Sequence, residues 1–204
     1  MAGDHYFSAS PESDFTVRSV TVRLAGAERT ITTAGGVFSP ERLDAGTQVL
    51  LDTVPAPPDG GDLLDLGCGW GPVALSLGLE SPEATVWAVD VNQRALELVR
   101  RNASALGLTN VNATLPDGIP EHLRFATIWS NPPIRVGKAE LHALLLRWLP
   151  RLEPGASAWF VVQRNLGSDS LHRWMQDELP EGFAVERAAS AKGYRVLEVR
   201  TPAE

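Results

Sequence analysis

Two short stretches of the chain carry side chains whose types and spacing could do chemistry together. In the first, Asp65-Leu66-Gly67-Cys68-Gly69-Trp70-Gly71-Pro72, an apolar run passes through a glycine turn into a run of helical pattern. Glycines there let the backbone turn tightly and approach a ligand closely. A dinucleotide-binding turn is spaced G-x-G-x-x-G, which puts its third glycine at position 72, where this chain has proline. Pro72 removes an N–H donor from the place a pyrophosphate would occupy, so phosphate anchoring is disfavoured. Asp90 stands 25 positions after Asp65, at the end of the next apolar run, where a carboxylate can accept both hydroxyls of a ribose. The pair points to a nucleoside ligand without an essential phosphate. The second stretch is Ser130-Asn131-Pro132-Pro133-Ile134, again directly after an apolar run. Its prolines fix φ and lack N–H groups, so the loop is expected to be rigid, with carbonyl oxygens free of competing local donors. The Asn131 side-chain oxygen and the Pro132 carbonyl can then each accept one hydrogen of a planar NH2, turning its lone pair toward an electrophile. A conjugated amine is a poor nucleophile, so placement and exclusion of water are expected to supply most of the catalysis, with no metal needed.

The elements that must position these residues follow from hydrophobic periodicity. Phe15 to Thr33 reads as strand, turn at Ala25-Gly26-Ala27, and strand, a hairpin ahead of the main fold. A helix over Gly46 to Val54 and a Pro/Gly linker over 55–61 come next. From Asp62 onward, strands at Leu63–Leu66, Ala84–Val89, Val111–Thr114, Phe125–Trp129 and Ala156–Val162 are expected. They alternate with helices at Pro72–Leu79, Gln93–Leu106 (N-capped by Asn92), Ala139–Leu149 and Ser170–Leu179. Strands Phe183–Ala188 and Tyr194–Val199 close the chain, linked through Lys192-Gly193. Near-continuous apolar strands alternating with helices predict an α/β fold: a Rossmann-like, seven-stranded, mostly parallel sheet covered on both faces, with one antiparallel edge strand. The glycine turn, Asp90 and Asn131 all fall at its carboxyl edge. Residues 1–204 read as one domain, 1–60 forming the hairpin and a covering segment and 61–204 the core.

Composition narrows the function classes. With 204 residues and 44% hydrophobic content the chain can bury a sizeable core. Cys68 is the single cysteine, which excludes an internal disulfide and a cysteine metal cluster and fits a reducing, cytoplasmic setting. The net charge of -7 argues against broad electrostatic wrapping of nucleic acid. That charge resides wholly in residues 1–102, whereas the window 124–173 is net +4. No apolar run approaches the ~18 residues of a membrane span. Walker A, G-x-S-x-G and H-E-x-x-H motifs are absent.

The acidic residue followed by G-x-G-x-G, here Asp65, Gly67, Gly69 and Gly71, with Asp90 further on, resembles class I S-adenosylmethionine-dependent methyltransferases. In that family the first acidic residue contacts the methionine end of the cofactor through the loop, and the second binds its ribose. The resemblance implies cofactor contacts from Asp65, Gly67, Cys68, Gly69, Gly71, Asp90, Val91 and Phe38, and from Asp117 to the adenine amine. Asn131-Pro132-Pro133 matches amino-methyltransferases acting on adenine, guanine or a protein glutamine. Many of those carry Tyr or Phe after the prolines, where this chain has Ile134, and Asp after the Phe of the preceding strand, where it has Ala126.

Over nearly the whole chain, the order HYF, GVFS, LDxGT, DLGCGWGP, VDVN, SNPPIRxGK and QRNLG is similar to the small-domain methyltransferases that modify guanine N2 in ribosomal RNA. It looks most like the catalytic half of the small-subunit enzymes. That implies His5-Tyr6-Phe7 and Gly36-Val37-Phe38 closing over cofactor and base, and Arg135 and Lys138 beside the pocket contacting phosphate. Solvated helix-end charge is the plainer account of Arg135, Lys138 and Arg164, and packing that of Trp70, Trp87 and Trp129. The expected partner is rRNA or the small ribosomal subunit, met by a monomer, with the guanine flipped out of its stack. The better-known relatives carry an additional N-terminal domain, for which this chain has only the hairpin. A protein glutamine N5-methyltransferase and a non-catalytic RNA-binding module are the alternatives.

Overall fold

The structure, a computed structural model, describes residues 16–203. The chain opens with a hairpin of β1 (Val17–Leu24) and β2 (Ala27–Ala34). Ala25 and Gly26 both have positive φ, the type I′ geometry whose twist suits a two-residue hairpin. Helix α1 (Ala45–Thr53) follows, started by Asp44, whose carboxylate accepts the N–H groups of Gly46 and Thr47. Then come β3 (Asp62–Leu66), α2 (Pro72–Glu80), β4 (Thr85–Val89), α3 (Gln93–Ala105), β5 (Val111–Thr114) and β6 (Phe125–Ser130). The chain ends with α4 (Lys138–Trp148), β7 (Leu152–Gln163), α5 (Ser168–Glu178), β8 (Ala184–Ala191) and β9 (Tyr194–Arg200).

The main sheet has seven strands in the order β5-β4-β3-β6-β7-β9-β8. Five run parallel from β5 to β7, and β9 pairs antiparallel with both β7 and β8. The antiparallel pairing thus lies at the expected edge, with β9 slotted inside β8. The Lys192-Gly193 turn is tight enough for β9 to return directly alongside its predecessor.

Strand alternation sorts the core into layers. Leu64, Leu66, Ile128 and Phe160 face one side, where Leu145 and Trp148 of α4 and Leu171 and Met175 of α5 cover them. Leu63, Val86 and Ala88 face the other, under Val49, Val73, Leu77, Leu96 and Val99 from α1, α2 and α3. Helix α2 is buried from Pro72 to Gly78, because the sheet covers one flank and the hairpin the other. The hairpin is therefore part of the packed body: Val22, Leu24 and Ile31 bury against Leu75 and Leu98. Buried Asn102 fastens it, accepting the Thr32 N–H and donating to the carbonyls of Thr32 and Trp70.

The chain winds outward through β3, β4 and β5, then returns to the far side of β3 as β6. The crevice at that reversal, outside the carboxyl ends of β3 and β6, is where open α/β sheets bind ligands. Ser130 closes its floor by donating from Oγ to the Leu66 carbonyl at 2.6 Å.

Candidate active site

A cavity of about 520 Å³ opens in that crevice, within the range of small-molecule sites. Its first half is built by the turns after β3 and β4. Gly67 and Cys68 donate to the Val89 carbonyl, and Gly69 donates to Asp90 Oδ2 at 2.9 Å. Asp90 Oδ1 accepts the Asn92 N–H at 2.9 Å. Backbone N–H groups thus occupy part of the carboxylate's acceptor capacity on both oxygens, and the rest is open to a ligand in the cavity that Asp90 lines. Burial pushes the Asp90 carboxyl up, partly opposed by these N–H groups. Gly69 has φ +53 and open space where a side chain would stand, which leaves the backbone bare to a ligand.

The loop after β2 forms the roof over this half. Asn92 Nδ2 holds the Gly36 carbonyl, Arg94 Nη1 holds that of Gly35, and Trp70 Nε1 holds that of Ser39. Phe38 between these anchors lines the cavity and is 40% exposed, an apolar edge at the mouth. Val91, 46% exposed, lines it from the end of β4.

Asp65 sits deeper. It is 1% exposed, accepts the Ala74 N–H at 2.8 Å, and lines a small annex of about 20 Å³ that shares Phe38, Gly67, Gly69 and Asn131 with the main cavity. Burial raises its carboxyl to about 8 against the opposing Ala74 hydrogen bond, with the nearby Asp90 adding to the rise. Cys68 lines the same annex, and burial holds its thiol well above the usual range, where it is a poor nucleophile.

Gly71 plays a different part from Gly67 and Gly69. It starts α2 at φ +97, and a Cβ there would stand 2.9 Å from Val99 Cγ2 of α3. The residue lets two helices close together and lies outside both cavity walls. Gly71→Ala is expected to cost about 1–3 kcal/mol from the left-handed backbone alone, read as a lowered Tm with little change in ligand contacts.

The second half of the cavity is the loop after β6. Asn131, Pro132, Pro133 and Ile134 all line it. Asn131 Nδ2 donates to Asp44 Oδ2 at 2.9 Å and to Thr47 Oγ1 at 3.0 Å. The loop's carbonyls do have local donors, contrary to the reading from its two prolines: Pro132 accepts the Ile134 N–H at 2.8 Å and Pro133 that of Val136. An inverse γ-turn at Pro133 (φ -74, ψ 72) returns the Ile134 N–H, and the 3-10 turn over Ile134–Val136 follows it, so the Pro132 oxygen retains one lone pair for a ligand rather than two.

Asp117 is not brought to the cavity. Its side chain is 92% exposed and pairs with Arg147 at 2.8 Å, while the preceding Pro116 takes the wall position. One residue of register in the 3-10 turn Pro116–Gly118 makes the difference. Lys138 is exposed at the first turn of α4 and is not a wall residue; Arg135 lies in the intervening 3-10 turn. His5, Tyr6 and Phe7 fall outside the described residues. Three cations of the positive window engage the protein's own carbonyls at its surface: Arg124 and Arg151 donate to carbonyls of the 120–123 loop, and Arg147 to the Pro116 carbonyl.

Leu144, Leu166 and Tyr194 complete the wall beside Gln163. Leu144 and Tyr194 carried no local signal. Asp44 and Thr47 were also missed as site residues, although Asp two residues before Gly and three before Thr at a helix start reads as an N-cap. Among the described residues there is no cluster able to hold a metal ion and no helix long and apolar enough to cross a membrane.

The model of the Methyltransferase small domain matches residues 28–198. YbxB of Bacillus subtilis (strain 168), described as uncharacterized, is 33% identical over 200 residues, 97% of this chain and 98% of that protein. Ribosomal RNA small subunit methyltransferase C of Stutzerimonas stutzeri (strain A1501) is 38% identical over 130 residues, 63% of this chain and 39% of its own. The solved T. thermophilus 16S rRNA N2 G1207 methyltransferase (RsmC), in complex with AdoMet and guanosine, superposes with a TM-score of 0.79 at 26% identity, covering 94% of this chain and 52% of that one. This chain thus spans nearly all of the Bacillus protein but about half or less of the two rRNA enzymes. With the family match extending from β2 to β9 across a cavity that joins the Asp90 carboxylate to the Asn131-Pro132-Pro133 loop, the chain belongs to the methyltransferase small-domain family.

Proposed function

We propose that this chain binds S-adenosylmethionine and methylates the exocyclic N2 amine of a guanine in small-subunit (16S) rRNA. The observation that carries the reading is the single cavity lined at one side by Gly67, Gly69 and Asp90 and at the other by Asn131 and Pro132. Its residues fit the cofactor: Asp90 keeps acceptor capacity for the ribose hydroxyls, Val91 and Phe38 are apolar edges for the adenine, and the annex presents the carboxyl groups of Asp44 and Asp65 to the positively charged methionine end. When bound, the sulfonium supplies an electrophilic methyl group.

The chain's own residues do the rest. Asn131 Oδ1 and the remaining lone pair of the Pro132 carbonyl accept the two amine hydrogens and aim the nitrogen lone pair. Ile134, Leu144 and Leu166 offer apolar walls to a flat base and displace water from the amine. Lys138, exposed at the start of α4, and Arg135 are assigned the phosphate contacts on the strength of their charge and their place in the chain after Pro133. The relatives' RNA substrates, and guanosine in the T. thermophilus complex, support guanine as the acceptor.

The test is incubation of methyl-labelled S-adenosylmethionine with 30S particles, naked rRNA, tRNA and release factors from cells lacking this gene. Label is expected in 16S rRNA and, after nuclease digestion, in N2-methylguanosine. Label found only on protein overturns the RNA reading in favour of a glutamine acceptor.

A further inference from the structure

We propose that Asp44 and Thr47, at the N-terminus of α1, are positioning residues that lock the Asn131 amide with its NH2 turned into the protein and its carbonyl oxygen left for the substrate amine. This rests on the amine-acceptor reading above and adds to it the device that sets the acceptor's polarity. An asparagine side chain is nearly symmetric in shape but opposite in function at its two ends. Facing the cavity with oxygen it accepts a hydrogen from an amine; facing it with nitrogen it repels that amine. Some neighbour has to decide between the two.

The decision is made 87 and 84 residues away in sequence. Asn131 Nδ2 lies 2.9 Å from Asp44 Oδ2 and 3.0 Å from Thr47 Oγ1, so both of its hydrogens have acceptors. Asp44 Oδ2 acts here as an acceptor, and a flipped amide would set Asn131 Oδ1 against it, oxygen to oxygen, at the same separation. Asp44 is itself held: Oδ2 takes the Gly46 N–H at 2.8 Å and the Thr47 N–H at 3.1 Å, which ties it to the first turn of α1. Gly46 leaves no room for that turn to shift, since a Cβ there would stand 2.8 Å from Tyr194 Cε1 of β9. The clamp thus connects α1, β9 and the loop after β6 around one amide. It favours acceptors that present N–H to Asn131 over those that present a carbonyl.

Two measurements separate the clamp from the function it serves. In cofactor-free protein, the Asn131 side-chain NH2 signals, identified by their loss in Asn131→Ala, are expected to be protected from hydrogen exchange. In Asp44→Ser/Thr47→Val they are expected to exchange as an exposed asparagine does. Serine caps a helix about as well as aspartate, and valine keeps the shape of threonine, so α1 is retained. Exchange in the wild type as fast as in an exposed asparagine overturns the proposal whatever the enzyme methylates.

The second measurement is single-turnover methylation. Asp44→Ser and Thr47→Val are each expected to slow it about tenfold and the double variant about 100-fold, with cofactor and acceptor both held saturating. Asp44→Asn should recover most of the Asp44→Ser loss, because its amide oxygen can cap α1 and accept from Asn131 together. A wild-type rate in the double variant, a loss confined to Kd or KM, or an Asp44→Asn as slow as Asp44→Ser overturns the clamp. Methylation of an atom other than an amine nitrogen by the wild type instead overturns the reading on which it rests, and the exchange result then stands on its own.

Discussion

Asn131→Ala is expected to bind S-adenosylmethionine within about threefold of wild type and to transfer its methyl group on the order of 10²- to 10³-fold more slowly. The cofactor half of the cavity is assembled from Gly67, Gly69, Asp90 and the loop anchored by Asn92, none of which depends on the Asn131 side chain. On the proposed amine-acceptor reading, the transfer step does depend on it. An exocyclic amine conjugated with its ring aims its lone pair only when its hydrogens are held, and Asn131 Oδ1 is one of two acceptors available for that. The rate should fall in single-turnover experiments at saturating cofactor, with calorimetric affinity as the control. Parallel loss of both would assign Asn131 to cofactor binding instead. Asn131→Asp is informative beside it, for it places a second carboxylate at hydrogen-bond distance from Asp44. Both cannot ionise cheaply at that separation, so its activity should recover as pH is lowered and one of them takes up a proton.

The second large effect is on pH. Burial raises the Asp65 carboxyl to about 8, so the ligand-free protein carries it protonated at neutral pH. Unfolded, the same group ionises near 3.9. Between these values the folded state holds more protons than the unfolded one. The Asp65 contribution to stability is therefore greatest below about 4 and declines as pH rises toward 8. A cationic ligand seated near Asp65 favours the ionised form and must expel that proton on binding. Cofactor affinity is then expected to rise with pH by at most about tenfold per unit and to level off above 8. Isothermal titration in buffers of different ionisation enthalpy reads the released proton directly. Asp65→Asn should flatten the profile, weaken binding at pH 8, and raise the Tm of the ligand-free protein there. Affinity unchanged from pH 6 to 8 with no proton released would remove Asp65 from the cofactor's charged end.

Much of the arrangement behind these effects was legible in local sequence. The apolar runs at Leu63–Leu66, Ala84–Val89 and Phe125–Trp129 became adjacent parallel strands because residues that bury both faces of a sheet leave the chain few other places to go. The turn Gly67-Cys68-Gly69-Trp70-Gly71 and the carboxylate Asp90 fell at one sheet edge for the same reason. A proline pair after β6 could be read as a rigid loop. Its hydrogen bonding could not, because proline fixes φ but not ψ, and the ψ of 72° at Pro133 that returns the Ile134 N–H to the Pro132 carbonyl has no marker in residue type. Asp117 shows the limit of register: in a short turn without periodicity, the wall position went to Pro116, and Arg147 from α4 claimed the carboxylate.

By itself, the sequence determined the α/β alternation, the glycine turn that suits a nucleoside better than a pyrophosphate, and the presence of Asn131 after the strand that became β6. Each is a local property of spacing, side-chain type and backbone freedom. Tertiary structure alone decided which end of the Asn131 amide meets the cavity, that Gly71 serves helix packing, and that Arg147 and Arg151 of the positive window hold the protein's own carbonyls. Those outcomes hang on partners up to 87 residues away, Asp44 for Asn131 foremost. Hydrogen bonds and close contacts of that kind come into being only when separate elements pack, and no local pattern encodes which donor will find which acceptor.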